Sequence, residues 1–202
     1  MSEDTPDRIE TIGRLKHRYG ESVDSSLWED LRQLVHSGPD QEVRALERLK
    51  ARYCRTLDTK DWSGFRDLFT PDFISDTTES GGPVIHGADE FVSFIRKTLD
   101  RCVTVHQVQQ PELDLTSATT ARGVWAMQDV VRLRRGLTLH GHGHYVDTYE
   151  KIDGQWRIKS SKLTRLHEHI ATPIFTLYIS DRVRRVLQRA AQRVTESNGV
   201  QR

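Results

Sequence analysis

The stretch LTLHGHGHYVDTYEKIDGQWRIKSSKLTRL, residues 137–166, decides the fold. Polar and apolar residues alternate from Leu137 to Ile152, the period of a strand whose side chains point to opposite faces in turn. Asp153-Gly154 fits a two-residue hairpin turn, whose backbone angles Asp and Gly tolerate. Gln155–Leu166 then alternates again, with Trp156 and Ile158 on one face. Two long strands joined this tightly must lie side by side and antiparallel.

Two earlier segments share the period. Thr119–Leu133 puts Ala121, Gly123, Trp125, Met127, Asp129 and Val131 on one side, and Val103–Gln109 puts Thr104, His106 and Val108 together. Asp129 interrupts an apolar row, and a carboxylate facing a core is costly unless it is paired, so it calls for a partner. His140, His142 and His144 also share a face, but successive members stand roughly 7 Å apart along a strand, too far to converge readily on one ion. No metal site is expected.

Before Arg101 the period is helical. Val43, Leu46, Leu49, Tyr53 and Leu57 line one face of a helix that Asp40 can cap. Asp58 lies five residues beyond Tyr53, roughly 140° round the axis, so it joins that face only where the helix is ending. Trp62–Phe69 reads as a second helix stopped by Pro71, and Phe73–Thr77 as a short strand. His86 falls in a loop. Asp89–Leu99 is a third helix with Phe91, Phe94, Ile95 and Leu99 on its buried side. Helices followed by strands in hairpin succession indicate an α+β fold, with the helices on one face of an antiparallel sheet. If the sheet curls, the space on its concave side is a pocket.

The ends read differently. Leu27, Trp28, Leu31, Leu34 and Val35 suggest a short amphipathic helix inside an N-terminal extension, residues 1–40. Residues 41–170 form the α+β domain. Residues 171–202 form a C-terminal helix and tail, the helix starting near Pro173, with Ile179, Val183, Val186 and Leu187 on its apolar side and five arginines from Arg182 to Arg193 around the rest.

Composition narrows the partners. The 202 residues carry a net charge of +1, so no global field draws nucleic acid or an anionic membrane. Two cysteines are too few for a disulfide framework. The first residues are polar and acidic, and no apolar run approaches the ~20 residues of a membrane span. The expectation is a cytoplasmic protein.

From about Val43 to Leu166 the chain resembles a SnoaL-like domain of the nuclear transport factor 2-like superfamily, a cone-shaped α+β fold. The residues carrying the resemblance are Tyr53 and Asp58, Asp61-Trp62, Gly87-Ala88-Asp89-Glu90, Val105-His106 and Gly154-Gln155-Trp156-Arg157-Ile158. It is similar to the dehydratase branch, which includes scytalone dehydratase and bile acid 7α-dehydratase. That branch implies a cofactor-independent hydro-lyase for a hydrophobic cyclic hydroxy-ketone, such as a steroid or polyketide. The implied catalytic residues are Tyr53, Asp58, His106, Asp129 and, on its place in the last strand, Arg165. In this reading Asp129 accepts from the ring of His106 and fixes its tautomer, His106 moves the proton, and Tyr53 donates to the carbonyl. Trp125, Met127, Phe94 and Val108 would wall an apolar cavity. A homo-oligomer, dimer or trimer, is expected. The rivals are an isomerase or cyclase using the same pair, a non-catalytic small-molecule-binding module, and a pure assembly module whose concave side is filled.

Overall fold

The structure is a computed structural model in which residues 13, 14, 17, 39–134 and 136–180 are described. The chain divides into two compact units, Met1–Leu46 and Glu47–Arg202. In the first, Gly13, Arg14 and His17 are helical, as are residues 39–46. The expected helix around Leu27–Val35 lies outside the described residues.

Helix α1 runs Pro39–Thr59. Proline opens it because the first helical turn has no use for its missing N–H, and Asp40 falls inside the first turn rather than capping it. The helix ends in a Schellman motif: Asp61 N–H bonds to the Thr56 carbonyl at 2.9 Å and Lys60 N–H to Leu57 at 3.3 Å. Lys60 stands at the left-handed position with φ 61°, where a glycine is usual; its Nζ reaches Leu57 O at 3.2 Å and Thr104 Oγ1 at 2.7 Å. Helix α2 is Trp62–Arg66, with the Asp61 side chain accepting from Gly64 N–H. It stops short of the expected Phe69 because Phe69 opens the first strand, and the Leu68 carbonyl just before it accepts from Ile158 N–H at 2.8 Å.

The strands are β1 (Phe69–Asp76), β2 (Val84–His86), β3 (Val103–Leu115), β4 (Thr120–Arg134), β5 (Leu137–Ile152), β6 (Gln155–Ala171) and β7 (Thr176–Tyr178), with helix α3 (Ala88–Leu99) between β2 and β3. They form one curved, unclosed sheet in the order β2-β1-β6-β5-β4-β3, with β7 on β6. Pairing is antiparallel except between β1 and β6. Pro71 sits inside the β1 irregularity between Phe69 and Ile74, and Pro111 inside that of β3 between Gln109 and Glu112. Each is a place where no ladder N–H is missed. Asp153 and Gly154 turn β5 into β6 with φ of 50° and 76°, the primed geometry read from their sequence.

The C-terminal reading needs correction. No helix starts near Pro173: β6 continues to Ala171, Thr172 and Phe175 close a turn, and β7 pairs back on β6 through His169↔Tyr178, Ile170↔Leu177 and Ala171↔Thr176. Residues 181–202 lie outside the described residues. None of the described helices is long and apolar enough to cross a membrane.

The inward face of the sheet carries Ala121, Trp125, Met127, Asp129 and Val131 of β4 opposite Tyr145, Asp147 and Tyr149 of β5, all buried. An aromatic cluster of Tyr53, Phe65, Phe69, Phe73 and Phe91 packs against it, with neighbouring ring centroids 4.4–6.1 Å apart. That cluster fills one end of the concavity. The other end stays open.

Candidate active site

A cavity of about 290 Å³ lies between α3, the end of α1 and the inner face of β4–β6. Its walls are mostly apolar, with Leu57, Phe91, Phe94, Ile95, Val131 and Leu163 among them, and its polar groups include Tyr53, Tyr145, His106, Asp129 and Arg165.

Asp58 occupies the last turn of α1. A carboxylate there faces the negative end of the helix dipole, so it needs donors from elsewhere. It has three. The His106 ring Nδ1 lies 2.7 Å from Oδ1, Thr104 Oγ1–H donates to Oδ1 at 2.8 Å, and the His106 backbone N–H donates to Oδ2 at 2.7 Å. Burial pushes the carboxyl up, but the hydrogen bonds from the His106 ring and backbone outweigh it and hold Asp58 below the usual carboxylate range. An ionised Asp58 requires a His106 proton on Nδ1, so in the neutral ring the lone pair is on Nε2.

This corrects the expected pairing. Cα register does set His106 opposite Asp129, but the Asp129 carboxylate is taken by Arg165. Nη1 meets Oδ1 at 3.1 Å and Nη2 meets Oδ2 at 2.7 Å. To reach Asp129, the guanidinium crosses β5 above Gly141, where an added Cβ would collide with Arg165 Nη1 and Asp129 Oδ1. Gly141, the first glycine of His140-Gly-His-Gly-His144, therefore matters to the site. The histidines face the other way: His140 stacks on His169 with centroids 4.8 Å apart and rings within 3° of parallel.

Tyr53 is buried among Phe65, Phe69 and Tyr145. Burial pushes its phenol well above the ordinary value, opposed by a side-chain hydrogen bond from Tyr145. Tyr145 is raised likewise, chiefly by burial.

Of the four expected wall residues, only Phe94 borders the cavity. Val108 lines a separate open groove, shared with Arg55 and Gln109, on the other side of the His106–Asp58 pair. Met127 is buried behind Arg165, with Sδ 3.6 Å from Nη1. Trp125 is deeper still, its Nε1–H donating to Tyr149 at 2.7 Å. All three follow the face parity read from the sequence, except that Val108 sits where β3 passes the edge of α1; the row simply runs past the cavity into the packed end. Tyr145, Lys50 and Asp147 were missed. Their signals were present: Lys50 puts a charge in a helical stripe with Tyr53 and Leu57, and Asp147 puts one in the inward row of β5.

A SnoaL-like domain profile matches residues 41–162. Similar solved structures include a candidate scytalone dehydratase from Novosphingobium aromaticivorans, 26% identical with a TM-score of 0.58 over 66% of this chain and 93% of that one. A protein of unknown function from Mycobacterium tuberculosis is 26% identical with a TM-score of 0.54, over 61% and 76% of the two chains. A hexachlorocyclohexane dehydrochlorinase, 14% identical with a TM-score of 0.58 over 70% and 90%, shares the fold.

Proposed function

The chain belongs to the SnoaL-like domain family, and on that premise we propose that it is a cofactor-independent hydro-lyase acting on a hydrophobic cyclic hydroxy-ketone. The observation that carries this is the His106 ring, held at 2.7 Å by Asp58 on one side and bordering the apolar cavity on the other. The candidate scytalone dehydratase among its relatives supports the same reaction class.

The chemistry follows from the groups present. His106 Nε2 takes a proton from the carbon next to the substrate carbonyl, and Asp58 stabilises the imidazolium that forms. The electron pair moves into the carbonyl, whose oxygen becomes an enolate hydrogen-bonded by Tyr53, itself supported by the hydrogen bond from Tyr145. As the enolate collapses, the β-hydroxyl leaves, taking the proton back from His106 as water. On the opposite wall Arg165 pairs with Asp129 at 2.7 Å, with the buried Glu168 carboxylate 4.0 Å from its Nε. The reaction runs on protein groups alone, in a dimer or trimer. An isomerase would use the first half of the sequence and return the proton to another carbon. A pure assembly module is disfavoured by the cavity, which a packed concave side would lack.

The test is turnover of a cyclic β-hydroxy-ketone of one or two rings, or of its vinylogue, a 7-hydroxy-3-oxo-4-ene steroid that loses its C6 proton, followed by the absorbance of the enone or dienone product. His106→Ala should lose at least ~10²-fold in rate while binding the ketone product. Equal turnover by the variant and the parent would remove His106 from the chemistry.

A further inference from the structure

Beneath the two tyrosines lies a charged pair that the proposed reaction does not yet use. Lys50 and Tyr53 are one turn apart on α1, and Tyr145 and Asp147 follow each other on the inward face of β5. The Lys50 ammonium and the Asp147 carboxylate are both fully buried and 2.7 Å apart. Lys50 Nζ stands 4.5 Å from the centre of the Tyr53 ring and 3.9 Å from that of Tyr145. An ammonium has three protons to place; Asp147 takes one, and the two rings lie against the rest. Asp147 is itself fixed, accepting from Tyr149 Oη–H at 2.8 Å, which in turn accepts from Trp125 Nε1–H. The cation is therefore seated against the faces of the two phenols whose edges border the cavity.

A buried ion pair adds little stability over apolar residues of the same size, so packing alone does not account for it. A cation on a phenol face favours electron density moving onto that ring and its oxygen. The phenol then gives up more of its proton to an acceptor that is becoming anionic. Resting on the hydro-lyase reading, we propose that Lys50, seated by Asp147, is a positioning residue that makes the hydrogen-bonded Tyr145–Tyr53 pair a donor matched to a developing oxyanion. The site would then select enolisable ketones over molecules that eliminate without forming an oxyanion. In that step the Cα–H bond breaks, its proton goes to His106 Nε2, its electron pair forms the C=C bond, and the carbonyl oxygen takes the charge.

The experiment compares two bicyclic probes on the full chain: a ring-fluorinated 2-naphthol, bound as its naphtholate to mimic the enolate, and neutral 1-tetralone. The variant is Lys50→Met with Asp147→Asn, which removes both charges, nearly keeps both volumes and leaves Tyr149 an acceptor. Naphtholate affinity should fall at least tenfold while tetralone affinity stays within twofold. Unchanged naphtholate binding overturns the proposal, and so does an equal loss for both probes, which is what a merely structural pair would give. If the parent protein binds neither probe, the ketone reading of the cavity fails and takes this inference with it. A second measurement needs no variant. Naphtholate should shift the ¹⁵Nζ resonance of Lys50 in the parent protein and tetralone should not; a resonance that naphtholate leaves in place overturns the proposal even where the double variant does not fold.

Discussion

Replacing Asp58 by Asn tests the site at its narrowest point. The carboxylate accepts from three donors, two on Oδ1 and one on Oδ2. A carboxamide has one accepting oxygen and one donating nitrogen. With its oxygen in the Oδ1 position, the amide N–H₂ faces the His106 backbone N–H, donor against donor. Turned over, it donates to Nδ1 and forces the imidazole proton onto Nε2, the atom that must accept. Either arrangement forfeits at least one charge-assisted hydrogen bond, about 1.5–3 kcal/mol, and the second also removes the base. The expected loss in kcat is ~10²–10⁴-fold, read by enone absorbance, with near-UV circular dichroism confirming the fold. Thr104→Val removes a single donor and should cost less than about tenfold in rate. Stability should respond to pH as well. The folded Asp58 is more acidic than an unfolded Asp at about 3.9, so its contribution is complete above that value and is lost as pH falls through the lower folded value. Asp58→Asn should flatten this acid limb in urea titrations run from about pH 5 downward through the folded Asp58 value. An Asn variant that folds and works within threefold of the parent refutes the dyad.

Two further outcomes follow from the opposite wall. Asp129→Ala leaves the buried Arg165 guanidinium only the 4.0 Å contact of its Nε with Glu168 and should destabilise the fold by about 3 kcal/mol in urea unfolding, whereas Asp129→Leu with Arg165→Met should recover most of that. Gly141→Ala sets a methyl group against Arg165 and Asp129 and should cost about 1–3 kcal/mol, with turnover falling further than the stability loss explains.

The sequence made the sheet legible because its strands keep period 2 over long runs and its hairpin has turn chemistry of its own. The parity of β4 placed Asp129 inward correctly, and the demand for a partner was sound. The identity of the partner was not, since adjacent register fixes which Cα atoms face each other and says nothing of which side chain a third strand sends across a glycine. Asp58 was doubtful for the opposite reason. An ideal helix turns it away from Tyr53, and only the left-handed Lys60 and the donors on β3 explain its place. Phe94 borders the cavity as expected, but the three strand residues Trp125, Met127 and Val108 do not, because alternation gives the face of a strand and not how far along that face the cavity extends. At the C-terminus the expected helix start near Pro173 gave way to β7, which had β6 beside it to pair with, while Val183, Val186 and Leu187 of that expectation lie outside the described residues.

One feature of α1 bears on how this scaffold changes over time. Lys50, Tyr53 and Asp58 all ride on one rigid rod, while His106, Asp129, Tyr145, Asp147 and Arg165 come from four separate strands. A substitution in a strand moves one group and leaves its neighbours in place. A shift of the rod moves three together and preserves their spacing. Diversification of substrate range, in nature or in a directed library, should therefore accumulate on the sheet and on α3, with the rod serving as the fixed datum against which new contours are cut.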